Sequence, residues 1–253
     1  MERWAGKVAV VTGASAGIGA AIVEALVHHG MIVVGLARRV DILKDMAENL
    51  SEEKGRLYPL KADVSDEAQV IHAFQWVKEN LKTLHVLVNN AGVLGDIPIS
   101  EKLDTKVFLR IFDVNVIGLS VCTSEGLKLM QESGVDDGHI FHINSISGQY
   151  IHPTLGAGQY PYMASKHSVT VLAEGLRREL VEKKSNIRVT SISPGLVKTE
   201  IFDVSHDRRA TTIFDNNPAL NPQDIADALI YALGTPPHVQ IKELTIKPVG
   251  EML

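Results

Sequence analysis

Lys7-Val-Ala-Val-Val-Thr-Gly-Ala-Ser-Ala-Gly-Ile-Gly19 is the stretch that decides the fold. Val8, Ala9, Val10 and Val11 are apolar without alternation, as in a strand of a parallel sheet covered on both faces. From 17 to 29 the period changes, and Ile18, Ile22, Ala25 and Leu26 fall on one helical face. Between the two, Gly13-x-x-x-Gly17-x-Gly19 lets the backbone turn tightly into a helix N-terminus. Free N–H groups and the positive dipole end there suit an anion, and glycines let a pyrophosphate come close. A bare glycine triplet also makes ordinary turns; its place at strand one and helix one makes it specific.

Outward from this unit the same alternation continues. Strands are expected at 7–12, 32–36, 56–61, 86–88, 139–144, 188–193 and 240–246. Helices are expected at 17–29, 41–50, from an N-cap at Ser65 to about 80, at 105–116, 118–131 and 160–182, and from Asn221-Pro222 to about 233. Alternating strands and helices argue for right-handed crossovers. The expectation is α/β: a single-domain, Rossmann-like, doubly wound parallel sheet of about seven strands with helices on both faces, spanning 1–253. The stretch 195–221 carries no firm element.

Composition narrows the function classes. Of 253 residues, 25 are basic and 30 acidic, giving a net charge of −5 without any like-charge block, which speaks against sequence-independent binding of nucleic acid. Cys122 is the one cysteine, so no internal disulfide or cysteine metal cluster can form; it lies in an apolar helical pattern and reads as a small core residue. No metal site is expected. His28 and His29 are neighbours on a helix and cannot face one ion together, and His142 reads as a satisfied sheet histidine. No basic-then-apolar leader and no run of about 18 apolar residues stand out, so the expectation is a cytoplasmic protein with no membrane span.

Tyr162-Met-Ala-Ser-Lys166 sets a phenol and an ammonium one helical turn apart. The ammonium is expected to pull the phenol below its ordinary value of ~10, so that the pair can exchange a proton with an alcohol. Y-x-x-x-K by itself usually marks a solvated helix face. Here it stands with Thr12-Gly-Ala-Ser-Ala-Gly-Ile-Gly19, Asn89-Asn-Ala-Gly92 and Asn144-Ser145, and together these resemble the short-chain dehydrogenase/reductase family over nearly the whole chain.

The resemblance implies an NADP(H) or NAD(H) oxidoreductase with a catalytic set of Asn115, Ser145, Tyr162 and Lys166. Tyr162 would be the general acid in reduction and base in oxidation. Lys166 would lower its pKa and hold the nicotinamide ribose, Ser145 would donate to the substrate oxygen, and Asn115 would shape its helix and anchor a water. Ser147 and the tyrosines at 150 and 160 are neighbouring candidates; Ser145 is favoured at the strand end, and Tyr162 alone has a lysine at i+4. The cofactor would lie on Gly13, Ser15, Gly17, Ile18 and Gly19, on Asp63 and Val64 at the adenine, on Asn90, Ala91 and Gly92, and on the Pro194, Gly195, Val197 and Thr199 turn at the nicotinamide. The end of the second strand reads Ala37-Arg38-Arg39. No acid follows there to bond a ribose hydroxyl, and a guanidinium can clamp a 2′-phosphate, so NADP(H) is the expected cofactor.

Substrate loops are expected at about 93–103, 146–160 and 196–221, with Val93, Leu94, Ile97, Tyr150, Ile151, Leu155, Leu196, Ile201, Phe202, Ile213 and Phe214 forming an apolar wall. The 17 residues from Ser145 to Tyr162 exceed the family's usual gap, which points to an insertion at the substrate mouth. Met1-Glu-Arg-Trp4, Val135-Asp-Asp-Gly-His139, Glu174-Gly-Leu-Arg177 and Pro236-x-His238-x-Gln-Ile241 resemble the branch with dehydrogenase/reductase family member 11 and the insect NADP-dependent farnesol dehydrogenases. That branch implies a lipophilic alcohol or carbonyl substrate, isoprenoid such as farnesol or steroid-like. A broad carbonyl or dicarbonyl reductase is the alternative enzyme; an NADP-binding redox sensor and a structural subunit are the non-enzyme alternatives. Family oligomers imply a homodimer or homotetramer.

Overall fold

Every position of β1 (Val8–Thr12) is buried, because the strand lies mid-sheet with helices over both faces. The computed structural model describes residues 1–151, 157–204, 213–215 and 217–251. Around β1 stand β2 (Ile32–Ala37), β3 (Arg56–Lys61), β4 (Val86–Asn89), β5 (His139–Ile143), β6 (Arg188–Pro194) and β7 (Glu243–Ile246), in the order β3-β2-β1-β4-β5-β6-β7 and parallel throughout. The winding reverses between β1 and β4, and this opens a crevice beyond their carboxyl ends.

On one face α1 (Gly17–His28) packs against α8 (Pro222–Gly234), burying Ile22, Leu26, Ile225 and Leu229 against the sheet; α2 (Val40–Asn49) adds Leu43. On the other, α3 (Glu67–Leu81), α5 (Leu119–Glu132) and α6 (Tyr160–Glu182) bury Phe74, Cys122, Leu129 and Leu180. Each such leucine, isoleucine or phenylalanine contributes ~1.5–3 kcal/mol of transfer free energy. A short α7 (Ile201–Val204) lies in the stretch that had no expected element.

Three expectations are corrected. Ser65 is not the cap of α3: the extended Asp66 caps it, its side chain accepting the Gln69 N–H at 3.2 Å, while the Ser65 hydroxyl and N–H turn back to Asp63 Oδ1 at 2.7 and 3.0 Å. The helix pair expected over 105–131 is one run. α4 (Thr105–Phe112) passes through a π-helical stretch, Asp113–Gly118, into α5. Gly118 is there for space and breaks nothing; a Cβ on it would lie 2.5 Å from the Val64 carbonyl oxygen. By length and composition this run, Thr105–Glu132, is apolar enough to cross a membrane, a stretch the sequence reading passed over; in the fold it packs against α3, β4 and α6 on one side, with about a third of its apolar window buried. Finally, β7 begins at Glu243 and not at 240, since the Gln240 side chain bonds the N–H and carbonyl of Val189.

Candidate active site

The reversal point holds a cavity of about 450 Å³. Its floor is the glycine turn. Gly13 and Gly17 adopt left-handed backbone (φ +64 and +53), and a Cβ on Gly13 would come 2.9 Å from Ala91 Cα. A side chain on Gly19 would strike the Gly13 carbonyl and the Asn90 amide. Ala16 caps α1 without any side-chain hydrogen bond, which leaves the helix N-terminus open toward the cavity. Thr12 and Asn90 knit β1 to β4. Thr12 Oγ1 accepts the N–H groups of Asn90 and Ala91 at 3.0 Å each, and Asn90 Nδ2 donates to the carbonyls of Thr12 and Gly13. Asn89 turns away, donating to Thr123 Oγ1 at 2.8 Å with its amide 3.2 Å from the His142 ring.

Of the residues expected to hold a cofactor, Gly13, Ser15, Gly17, Ile18, Arg38, Arg39, Asp63, Val64, Asn90, Ala91, Gly92, Pro194, Gly195, Val197 and Thr199 line this one cavity; Gly19 supports it from behind. Sequence reasoning missed that carboxylates meet both arginines. Arg38 lies 3.9 Å from Asp63, and Arg39 pairs at 3.0 Å with Glu200, which arrives from the far side of the sheet after β6. All four side chains are substantially solvated, so each pair is worth ~0–1 kcal/mol and yields readily to a more highly charged ligand.

Ser145, Tyr162 and Lys166 line the cavity together. Ser145 lies two residues beyond β5 and caps the short turn Ile146–Gly148, its Oγ accepting the Ser147 N–H at 3.1 Å. Tyr162 opens α6 and is buried, with Ser145 as the hydroxyl bonded to its phenol. Lys166, one turn on, donates from Nζ to the Ile143 carbonyl at 2.9 Å and stands 5.8 Å from the Tyr162 ring centre. Burial pushes the phenol up to about 12, against the pull of the Ser145 hydrogen bond, and pushes the ammonium down to about 8. Burial thus raises the phenol, the reverse of the lowering expected from the lysine.

Asn115 does not line the cavity; it braces it. In the π-helical stretch its Oδ1 accepts the Val93 N–H at 2.8 Å, and its Nδ2 donates to the Val93 carbonyl and to Ser165 Oγ, both at 3.0 Å. Ser165 in turn donates to the Tyr162 carbonyl. One buried carboxamide thus ties the loop after β4 to the helix carrying Tyr162.

The apolar wall is partly as expected. Val93, Leu94, Leu196, Ile201, Phe202 and Ile213 line the cavity. Ile97 is core, Ile151 is exposed, and Phe214 packs edge-on against Phe202 at 5.6 Å. Leu155 lies outside the described residues. Arg110, Gln159 and Glu251 also line the cavity and were not foreseen. His142 is buried beside Asn89, and Cys122 is a buried thiol raised to about 12 by burial, both as read from sequence.

The short chain dehydrogenase family model matches residues 7–210. Farnesol dehydrogenase of Aedes aegypti is 47% identical over 252 residues, covering 99% of each chain. Dehydrogenase/reductase SDR family member 11 of Gallus gallus is 42% identical over 257 residues, covering both chains in full. Among solved structures, the closed form of a serine dehydrogenase complexed with NADP⁺ superposes with a TM-score of 0.87 at 31% identity, covering 97% of this chain and 96% of that one.

Proposed function

Because the chain belongs to the short-chain dehydrogenase family, we propose that this oxidoreductase is NADP(H)-dependent and acts on a lipophilic alcohol/carbonyl pair through Ser145, Tyr162 and Lys166. The observation that carries the reading is the convergence of these three side chains with the glycine turn in one cavity. The cavity fits a dinucleotide phosphate: side chains at Gly13 and Gly19 would fill the cradle, α1 offers uncapped N–H groups, and two guanidiniums stand at the end of β2. Once bound, the nicotinamide supplies or takes the hydride.

The rest falls to the chain. Ser145 donates a hydrogen bond to the substrate oxygen as charge develops on it. Tyr162 gives the oxygen its proton in reduction and takes it in oxidation, and Lys166 holds a positive charge beside that exchange. Arg38 and Arg39 exchange their carboxylate partners for the 2′-phosphate. Asp63 and Val64 receive the adenine, and Pro194, Gly195, Val197 and Thr199 the carboxamide. An isoprenoid alcohol such as farnesol suits the wall of Val93, Leu94, Leu196, Ile201, Phe202 and Ile213, and it is what the mosquito relative's name specifies. Exposed Leu109 and Ile117 on the α4–α5 run and Val171 and Val181 on α6 favour pairing of these helices between copies, as a homodimer or homotetramer.

Turnover of farnesol with NADP⁺ and with NAD⁺, in the wild type and in an Arg38→Ala/Arg39→Ala double variant, tests the reading. The wild type should prefer NADP⁺, and the variant should lose NADP⁺ far more than NAD⁺. Equal losses would remove the 2′-phosphate role, and no reduction of either cofactor would remove the alcohol and redirect the assay to steroid and dicarbonyl reduction.

A further inference from the structure

The segment after β7 folds back onto the cavity. Gly250 takes a left-handed backbone (φ +84) and the Glu251 N–H donates to the Pro248 carbonyl at 3.2 Å, so the chain reverses and delivers Glu251 beneath the turn that follows β6. There the Glu251 side chain is wholly buried, its Oε1 accepting the Leu196 N–H at 2.8 Å. Its other oxygen faces Lys247 Nζ at 3.2 Å, and Lys247 donates to the hydroxyl of Tyr150, just past the Ile146–Gly148 turn, also at 3.2 Å. The carboxylate packs directly on Gly195: a Cβ there would lie 2.6 Å from Oε2. The Gly195 N–H meanwhile donates to the Ile246 carbonyl at 2.7 Å, so the same turn is held from both sides by the chain's last strand and tail. A buried carboxylate is costly unless it is paired and hydrogen-bonded; here the Leu196 N–H meets Oε1, and Oε2, which accepts no hydrogen bond among the described residues, faces the Lys247 ammonium.

We propose that Glu251 is a positioning residue that fixes the Pro194–Leu196 turn for the nicotinamide half of the cofactor. The inference rests on the reading above that this turn receives the carboxamide. Glu251 need not touch the reacting atoms. It orients the backbone that does, and without it the Leu196 N–H is left unsatisfied in a half-buried turn.

Calorimetric titration of the full chain with two probes separates this role from a general loss of structure: NADPH, and adenosine 2′,5′-bisphosphate, which lacks the nicotinamide half. Glu251→Ala should bind NADPH about tenfold more weakly, from one unmet hydrogen bond, and bind the bisphosphate as the wild type does. Glu251→Gln, whose amide oxygen can still accept from Leu196, should recover most of the NADPH affinity. Gly195→Ala, which displaces the carboxylate, should behave like Glu251→Ala. Equal weakening of both probes, no weakening of either, or failure of the glutamine variant to recover would overturn the proposal. Should the wild type bind neither probe, the NADP reading falls separately, and NADH with 5′-AMP then decides the role of Glu251 by the same comparison.

Discussion

At the residue scale the decisive pair is Tyr162 and Lys166, both taken out of water by the fold. Burial disfavours each charged form, leaving the phenol at about 12 and the ammonium at about 8. At neutral pH this leaves a neutral phenol beside a mostly protonated lysine, the arrangement the proposed proton transfer calls for. Tyr162→Phe keeps the ring and loses that proton. Its kcat should fall by at least ~10²-fold, with NADPH affinity unchanged by fluorescence titration; retained turnover would remove Tyr162 from its role. The spacing of this pair was legible in the sequence because i and i+4 share a helix face whatever surrounds them. The carboxylate partners of Arg38 and Arg39 were not, since Glu200 lies 161 residues from Arg39 and only the sheet order brings them together.

At the scale of elements, the hydrophobic period placed the strands and helices to within a residue or a few, and local chemistry misplaced some ends. Ser65 and Asp66 are both good N-cap types, and sequence cannot say which backbone will be extended. The turn resolves it by using Ser65 on Asp63, a cavity residue, and Asp66 on the helix. Asp66→Ala should therefore lower stability by ~1 kcal/mol in urea denaturation, and Ser65→Ala should stay within ~0.5 kcal/mol. The opposite ranking would return the cap to Ser65. The π-helical stretch was likewise invisible: the sequence suggested two helices meeting at Gly118, and Gly118 is instead where the run passes close to the Val64 carbonyl in the connection after β3. This stretch also carries Asn115, whose carboxamide joins the Val93 loop to α6.

At the scale of the whole molecule the sheet and its two helical layers set the response to acid. His85 and His142 are buried and held at about 4 instead of the ordinary 6.5, mainly by burial. The unfolded chain therefore binds protons between those values that the fold refuses. The associated stability is complete above about pH 6.5 and declines as pH falls toward 4, by about 3 kcal/mol for each group. Urea midpoints should drop steeply between pH 7 and pH 4.5. His142→Gln should be weaker at pH 7 and show a shallower acid slope; parallel curves would exclude His142 as a source. Light scattering checks assembly, with a dimer or tetramer expected from the apolar faces of the α4–α5 run and α6, and a monomer against it.

The sequence by itself determined the parallel α/β sheet, the glycine turn at its first crossover and the Tyr162–Lys166 pair, because each depends on periodicities and spacings local to the chain. Only the tertiary structure decided what meets those groups: Glu200 at Arg39, the Val64 carbonyl at Gly118, and Glu251 beneath Gly195. These contacts join residues remote in sequence, and their existence follows from strand order and burial, which no local pattern encodes.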